Sequence, residues 1–281
     1  MITDAVAELV QAAHIEVIPL LGSEEAMLGA PPAVPITITC SPKFGLERTL
    51  LFTEIAAAAG RRVIPHLAAR QVRDETMLRE ILDRLGAAGV PELFVIGGDA
   101  TEPAGTYAGS AELLEAMSGL PHGISRIGVG CYPEGHPAIP DDRLLADLLH
   151  KQKYAGYMVS QLCFDATALL RWISSIRAAG VTLPLRIGVA GPVQMRKLIE
   201  LSMRIGVGSS VRYLTKQHGL LGQLFRGSAY RPERLLARIF DGTSVTSSGI
   251  EGLHVFSFNQ LALAAGWQRR IAASADGAEL A

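Results

Sequence analysis

The sequence predicts a single-domain (β/α)8 barrel, the TIM-barrel architecture, with extra helices. Short, almost uninterrupted apolar runs alternate with helix-length amphipathic segments along most of the 281-residue chain. Strands of this kind pair in parallel and are covered by helices. About eight such strand–helix units favour a closed barrel over an open, doubly wound sheet.

The predicted strands follow one another at similar intervals. The segments between them carry apolar residues at helical spacing, and several end in Gly or Ala-Gly, which ends a helix. The strands are expected at 14–19, 34–40, 61–66, 92–98, 125–130, 157–162, 184–189 and 253–258.

The chain ends and one long interval complete this organisation. Residues 1–13 are predicted to form an N-terminal helix, 190–250 leaves room for one or two extra helices, and 272–281 reads as a flexible polar tail. No linker, low-complexity block or repeat beyond the strand–helix unit interrupts the chain. The domain prediction is therefore one TIM-barrel domain over 1–281.

Composition excludes several classes of protein. The net charge is −1 with no basic run, which argues against a nucleic-acid partner. The three cysteines, Cys40, Cys131 and Cys163, are widely spaced and form no C-x-x-C pair, which argues against a disulfide framework and fits a reducing compartment. The sequence carries no signal-peptide pattern and no bilayer-length apolar run, so a cytoplasmic protein without a membrane partner is expected.

No metal site is predicted. A structural zinc site needs cysteines and histidines at short, regular spacings. Five of the histidines show no such spacing with one another or with nearby cysteines, and we expect no metal-binding role for His14, His122, His150, His218 or His254.

Polar residues recur at the carboxyl ends of the predicted strands, which is where the catalytic groups of such barrels lie. Each has a structural alternative: a solvent-facing acid, a hydrogen-bonded core histidine, a plain Gly-Gly-Asp turn, or an amide that satisfies buried backbone. Their shared placement on one rim nevertheless favours an active site. The set comprises Glu16, Thr39, His66, Asp99, Tyr132, Glu134, His136 and Gln161.

The stretch "CYPEGHP" (131–137) is unusual for a surface turn. Its two prolines remove backbone donors and fix φ, so an aromatic ring, a carboxylate and an imidazole are held on a stiff scaffold. Because the stretch follows the fifth strand, an active-site loop is favoured over a rigid turn. No G-x-G-x-x-G fingerprint and no P-loop is present, so a Rossmann or Walker nucleotide site has no support.

With these motifs assembled, the chain resembles the methylenetetrahydrofolate reductase family from about residue 14 to 262. "CYPEGHP" resembles the family's "YPExHP" signature, and "HIEVIP" is similar to the "FEFFPP" strand that carries its catalytic glutamate. Four further motifs follow in the family's order: "ITITCS" with Thr39, "IPHLAAR" with His66 (family "PHLTC"), "VIGGD" with Asp99 (family "LRGD"), and "VSQLCFD" with Gln161, Phe164 and Asp165 (family "TQFFFD").

The resemblance implies a TIM-barrel enzyme that reduces 5,10-methylenetetrahydrofolate to 5-methyltetrahydrofolate with NADH or NADPH, most members using FAD as the hydride carrier. Glu16 would then be the acid that protonates N10, since carboxyl groups in apolar surroundings keep their proton more readily. Asp99 would bind the pterin edge and stabilise the iminium cation. Gln161 would offer an amide to the same ring system and Phe164 a stacking surface.

Three departures from the family pattern concern the flavin. The arginine of "LRGD" is Gly97, the aspartate nine residues beyond "YPExHP" is Leu145, and the lysine near "KVDAGA" aligns with Gln152, although Lys151 and Lys153 flank it. Losing two or three charge-assisted contacts weakens binding by roughly 3–8 kcal/mol. We therefore expect FAD to be absent, as in the family's flavin-independent bacterial branch.

Without flavin, the hydride would pass directly from the nicotinamide to the folate in a ternary complex. Residues that would line the flavin region are then predicted to bind the nicotinamide cofactor: Thr39, His66, Gly98, Tyr132 and His136.

Two alternatives remain open from the sequence. One is a conventional FAD-dependent reductase that holds the flavin through backbone groups at 97–98 and 107–108. The other is a non-redox folate-binding barrel, against which the embedded acid Glu16 and Asp99 argue. The absence of a clear basic pair for a 2′-phosphate favours NADH and leaves NADPH open. The sequence does not decide whether the chain forms a homo-oligomer.

Overall fold

A computed structural model describes residues 3–204, 230–241 and 249–275. All eight predicted strands are found among these residues. They are β1 (His14–Val17), β2 (Ile36–Ile38), β3 (Val63–Ala68), β4 (Glu92–Ile96), β5 (Arg126–Cys131), β6 (Tyr157–Ser160), β7 (Leu185–Ala190) and β8 (Ile250–Phe256).

Helices alternate with the strands along the described part of the chain. The described part of the chain contains α1 (Asp4–Gln11), α2 (Ser23–Leu28), α3 (Gly45–Ala58), α4 (Glu75–Ala87), α5 (Ser110–Ser118), α6 (Asp141–Lys151), α7 (Ala166–Ala178), α8 (Met195–Arg204), α9 (Pro232–Ile239) and α10 (Leu261–Ala275), with a short 3₁₀ turn at Ala69–Gln71.

The eight strands close into one parallel barrel in sequence order, β1 to β8. Closure is made by β8 against β1, where His14 faces His254 and Ile15 faces Val255. The predicted single-domain TIM barrel is therefore confirmed. Among the described residues between β7 and β8 there are two helices, α8 and α9, in the interval that was expected to hold extra helices.

The strand boundaries differ from the predicted ones by up to three residues, and one of these differences moves a predicted site residue. β3 continues to Ala68, so His66 lies inside the strand and not at its end. The strand continues because the following Leu67 and Ala68 are also buried and pair with β4. The predicted flexible tail is wrong for residues 272–275, which extend α10 because its Ala-rich sequence favours a helix. Residues 276–281 lie outside the described range.

The apolar core lies mainly between the barrel and its helices. In β1, Ile15 and Val17 belong to this outer core, whereas the alternate residues His14 and Glu16 contact groups of the barrel interior. The carboxyl half of the barrel interior is therefore open to polar side chains, while the outer core holds the helices in place.

The amino-terminal end of the barrel interior is closed by ion pairs. Glu251 of β8 binds Arg126 at 2.6 Å and Arg186 at 2.9 Å, and the ring of Tyr157 lies beneath both guanidinium groups. A Cβ at Gly128 would stand 2.3 Å from the Tyr157 ring, so glycine at that position makes room for it. These side chains fill the amino-terminal end of the barrel interior, so a ligand is expected to enter from the carboxyl end.

Among the described residues, no helix is both long enough and apolar enough to cross a membrane.

Candidate active site

Glu16 lies inside the barrel and contacts the last strand. Its side chain, 14% exposed, projects from β1, and its Oε2 lies 3.3 Å from Nε2 of His254 on β8. The Ser257 hydroxyl donates a hydrogen bond to the Glu16 carbonyl. The predicted alternative of a solvent-facing acid therefore does not hold, because the carboxyl group is inside the barrel.

Aromatic rings surround this pair. Phe94 of β4 stacks on His254 with ring centroids 6.3 Å apart, and Phe256 packs edge-on against the same imidazole at 4.9 Å. Phe94 also contacts His66 of β3 at 4.7 Å. The histidine that contacts Glu16 is therefore packed against two phenylalanine rings.

His66 is neutral in this environment. Burial lowers the pKa of His66 to about 4, and the negative charge of Glu16 only partly opposes this effect. Its ring lies 6.4 Å from that of His254. The site therefore holds one carboxyl group beside an uncharged His66 at neutral pH.

Asp99 lies on an exposed loop beyond β4, and that loop is held by Arg70. The Arg70 guanidinium donates hydrogen bonds to the carbonyls of Ala100 (2.8 Å), Thr101 (2.8 Å) and Ala108 (2.9 Å). Three bonds from one planar group fix both ends of the loop against β3. Asp99 is thus displayed to solvent from a firmly held backbone.

Gly98 makes the turn before Asp99 possible. Its φ is +90°, and a Cβ there would lie 2.9 Å from the Cβ of Ala68. Both facts require glycine at this position. The predicted role of Gly98 in binding a cofactor through its backbone is compatible with this open surface and remains a prediction.

The "CYPEGHP" loop forms a turn that pairs its two aromatic residues. The rings of Tyr132 and His136 meet edge-on at 5.1 Å, and the amide of Gly135 donates to the Tyr132 carbonyl at 3.1 Å. Burial, with smaller contributions from the charges of Cys131, Asp99 and Asp147, raises the pKa of Tyr132 to about 12. Tyr132 and Asp99, from two neighbouring strands, therefore face the same end of the barrel.

Thr39 and Gln161 lie directly after their strands, at the same end. The amide of Thr39 donates to Val17 at 2.9 Å, which ties the end of β2 to the end of β1. The amide of Gln161 donates to Cys131 at 2.8 Å, and its side-chain oxygen accepts from the amide of Leu162. Both residues thus lie at the rim, as expected from the sequence.

Phe164 follows Gln161 by three residues and is buried. Its ring is 4% exposed and packs edge-on against Tyr230 at 5.5 Å, in an apolar cluster with Leu162, Val193 and Leu198. A stacking surface for substrate needs an accessible ring face. The ring of Phe164 is largely covered in this structure, and its predicted contact with substrate remains a prediction.

Two residues of the site were missed by sequence reasoning. His254 was grouped with histidines that lack metal-ligand spacing, although its alternation with Phe256 in "LHVFSF" places both on one face of the strand. Arg70 belongs to "IPHLAAR", but nothing in that motif indicates its three loop contacts. His218 lies outside the described residues. Within those residues, no group of three or more His, Cys, Asp or Glu side chains is arranged to hold a metal ion.

The three positions that depart from the family's flavin-binding pattern lie in different surroundings. Leu145 lines a pocket of about 510 Å³ between the "CYPEGHP" loop, α6 and α7, which also contains Trp172. Four carboxylates line this pocket, whereas its Lys151 is buried and paired with Asp147 at 2.6 Å. The carboxylates belong to Glu134, Asp141, Asp142 and Asp147.

Gln152 follows α6 at the amino-terminal end of the barrel. Its side-chain oxygen accepts from the amide of Thr182, just before β7. A pyrophosphate needs cations or N–H donors. The residues at these three positions do not fit the pyrophosphate of FAD: Gly97 has no side chain, Leu145 is apolar beside acidic groups, and Gln152 lies at the far end of the barrel.

Fold and site together define a (β/α)8-barrel protein with an acid inside the barrel and polar groups at the carboxyl ends of its strands. The family model of methylenetetrahydrofolate reductase matches residues 31–207, well over half of the chain. The chain belongs to the methylenetetrahydrofolate reductase family.

Two curated relatives are similar over part of the chain. Methylenetetrahydrofolate reductase 2 of Saccharomyces cerevisiae is 27% identical over 154 residues, 50% of this chain and 26% of that protein. Methylenetetrahydrofolate reductase 1 of Schizosaccharomyces pombe is 26% identical over 139 residues, 46% of this chain and 22% of that protein. The chain therefore matches about a quarter of the length of these relatives.

A solved structure supports the fold alone. A protein described as a lyase/mutase from Burkholderia cenocepacia J2315 aligns with a TM-score of 0.50 and 16% identity, over 96% of this chain and 89% of that one.

Proposed function

We propose that this protein reduces 5,10-methylenetetrahydrofolate to 5-methyltetrahydrofolate with NADH, by direct hydride transfer and without a bound flavin. Family membership supports the substrate class and the reaction. The observation that carries the proposal is Glu16, a carboxyl group held inside the barrel at 3.3 Å from His254, whose ring is packed against Phe94 and Phe256. A barrel that only bound folate would not need an acid at this depth.

Glu16 is the proposed general acid. The bond between N10 and the bridging carbon breaks, its electron pair goes to N10, and N10 takes the proton of Glu16. This leaves an iminium cation between N5 and the bridging carbon. The C4–H bond of NADH then breaks, and its hydrogen and electron pair form the methyl group, giving NAD⁺. The net reaction consumes one NADH and one proton, and solvent reprotonates Glu16.

Asp99 and Gln161 are the proposed folate-binding groups. Asp99 is exposed on a loop whose backbone is fixed by Arg70, so a carboxylate is available without a large ordering cost. A carboxylate accepts two hydrogen bonds from an amino-pyrimidine edge, and its charge stabilises the iminium cation. Gln161, at the rim after β6, would contact the same ring system.

The nicotinamide is assigned to the remaining rim residues. An uncharged His66 suits a ring that becomes positively charged when NADH is oxidised, because a second cation there would oppose the reaction. Tyr132 and His136 offer an aromatic corner on the same rim. The proposed cofactor-binding residues are Thr39, His66, Gly98, Tyr132 and His136.

The flavin-free route is supported by the misfit of the flavin's charged anchors. The pocket beside Leu145 is lined by four carboxylates, and its lysine is already paired with Asp147. Negative side chains repel a pyrophosphate that carries two negative charges. With Gly97 in place of an arginine as well, FAD would have to rely on backbone donors alone.

The test is an assay of the purified full chain with methylenetetrahydrofolate and NADH and no added flavin, with an absorbance spectrum of the same preparation. We expect NADH consumption matched by 5-methyltetrahydrofolate and no flavin band. Turnover that requires added FAD would favour the conventional reductase. Tight folate binding without any turnover would favour the non-redox barrel. Either result overturns the proposal.

A further inference from the structure

We propose that Leu20 and Leu21, in the loop after β1, bind the aminobenzoyl ring of the folate tail and make the protein selective for a pterin that carries this ring. The inference rests on the proposed function of Glu16 as the acid that protonates N10. It is carried by the position of two exposed leucines on a fixed loop, directly after the strand that holds this acid.

The two leucines are exposed at the open end of the barrel. Leu20 is 38% exposed and Leu21 is 89% exposed. Single apolar side chains on a surface are common, so exposure alone indicates nothing. The place of this pair is unusual. Among the described residues, the other large apolar side chains of comparable exposure lie on helices or, for Ile139, after β5 on the opposite side of the barrel.

The backbone of this loop is held by side chains from three different elements: Asn259, Ser23 and Arg48. Asn259, after β8, accepts from the Ile18 amide at 2.7 Å and donates to the Ile18 carbonyl at 2.8 Å. The Ser23 hydroxyl donates to the Leu20 carbonyl at 2.8 Å, and Arg48 of α3 donates to the Pro19 carbonyl. A ligand that packs on the leucines therefore does not have to order the loop first.

The proposed chemistry determines where the folate tail begins. A general acid lies within hydrogen-bond reach of the atom that it protonates, directly or through one water. N10 would therefore lie beside Glu16, and the aminobenzoyl ring is bonded to N10. The side chains of Tyr157, Arg126 and Arg186 fill the amino-terminal end of the barrel interior. The ring is therefore expected to leave toward the carboxyl end, past the loops next to β1.

Of these loops, the one after β1 offers free apolar surface. The neighbouring strand β2 is followed by the polar Thr39. On the other side, Phe258 after β8 is partly buried against the apolar cluster around Phe164. An aromatic ring gains most from covering aliphatic groups that would otherwise face water. Leu20 and Leu21 are such groups, on the side of the barrel from which the tail would leave.

The binding test compares two ligands: 5-methyltetrahydrofolate, and 6-methyltetrahydropterin, which keeps the pterin but lacks N10 and the tail. We expect Leu21→Ser to raise the Kd of 5-methyltetrahydrofolate about 3- to 10-fold, because less apolar surface is buried, and the double change at Leu20 and Leu21 to raise it further. The Kd of 6-methyltetrahydropterin should stay within about twofold of wild type. Leu21→Met, which stays apolar, should keep the affinity for 5-methyltetrahydrofolate.

The matched control is Leu51→Ser, on the outer helix α3 at a position that is 50% exposed, and it should leave both Kd values unchanged. An unchanged Kd for 5-methyltetrahydrofolate in Leu21→Ser overturns the inference. Equal weakening of both ligands does so too, because the variant would then disturb the pterin site through the loop. If Leu21→Ser instead changes the oligomeric state in light scattering and leaves the Kd unchanged, the leucines belong to a contact between copies of this chain.

The second test uses the wild-type protein with ¹³C-labelled leucine methyl groups, and variants serve only for assignment. With 5-methyltetrahydrofolate bound, we expect nuclear Overhauser effects between the aminobenzoyl ring protons and the methyl groups of Leu20 and Leu21. Bound ligand without these effects overturns the inference and leaves the proposed function intact. The effects without any turnover with NADH would support the inference and count against the proposed function. Failure of the wild-type protein to bind 5-methyltetrahydrofolate would overturn both.

Discussion

Oε2 of Glu16 lies 3.3 Å from Nε2 of His254, and this contact joins the first strand of the barrel to the last across 238 residues of sequence. It places the proposed acid and its hydrogen-bonding partner inside the barrel. The Glu16 carboxyl group is mostly shielded from solvent and contacts another side chain. Substitutions at Glu16 and around it should therefore affect the rate of reduction and the affinity for folate to different extents.

Glu16→Gln should abolish reduction while folate binding is largely kept. Positioned acids contribute about 10²- to 10⁴-fold to a rate, and an amide of nearly the same shape cannot supply the proton. Turnover and the folate Kd from calorimetry measure the two effects. Glu25→Gln, at an exposed position of α2, is the matched control. Unchanged turnover in Glu16→Gln would remove this residue from the acid role.

Asp99→Asn should impair both folate binding and catalysis. The amide keeps the size of the side chain but loses the charge that is proposed to stabilise the iminium cation, so we expect kcat/KM to fall about 10²-fold. Asp83→Asn, an exposed change on the outer helix α4, should leave kcat/KM within about twofold of wild type. Equal kinetics in both variants would show that Asp99 does not contact the reacting folate.

Arg70→Met should weaken folate binding, although we expect no direct contact between the Arg70 side chain and folate. It removes three hydrogen bonds to the loop that carries Asp99, so that loop must be ordered when the ligand binds. We expect the folate KM to rise about 5- to 20-fold, with faster amide hydrogen exchange over 99–108. Arg79→Met, which breaks only an exposed pair with Glu75, is the control. A KM equal to that of the control would contradict the assignment.

His66 should make folding stability depend on pH. Its folded pKa of about 4 lies below the ordinary value of 6.5, so the unfolded chain binds a proton that the folded chain refuses between these two values. This contribution is fully present above pH 6.5 and is lost as pH falls toward 4, and it amounts to about 3 kcal/mol.

The measurement is denaturant unfolding of wild type and His66→Phe between pH 7 and pH 4.5. Wild type should lose more stability over this range than the variant, because only wild type carries the buried histidine. Parallel pH profiles for the two proteins would show that His66 is protonated as easily in the folded chain as in the unfolded one.

The barrel was predictable because the strands and helices each show a hydrophobic pattern within a short segment of sequence. The runs at 14–19 and 253–258, for example, are short, apolar and bounded by helical segments, and both form strands. The position of Glu16 inside the barrel also follows from alternation within β1. The rim residues Thr39, Asp99 and Gln161 were predicted because they follow strands, which is a matter of sequence order.

What the sequence did not reveal depends on contacts between distant segments. The partner of Glu16 is on the other side of the closure between β1 and β8, and no local pattern marks His254 as different from the other histidines. The loop contacts of Arg70 extend up to 38 residues along the chain. The contact between Phe164 and Tyr230 is of the same kind, since Tyr230 lies beyond the next strand.

The central claim, direct hydride transfer without flavin, is tested most directly by the fate of deuterium from NADH that carries deuterium at both C4 positions. Direct transfer carries the label into the methyl group of 5-methyltetrahydrofolate in ordinary water. A reduced flavin would exchange its N5 hydrogen with solvent before transfer. We predict one deuterium per methyl group with the transferred label fully retained. A methyl hydrogen derived from water would contradict the account.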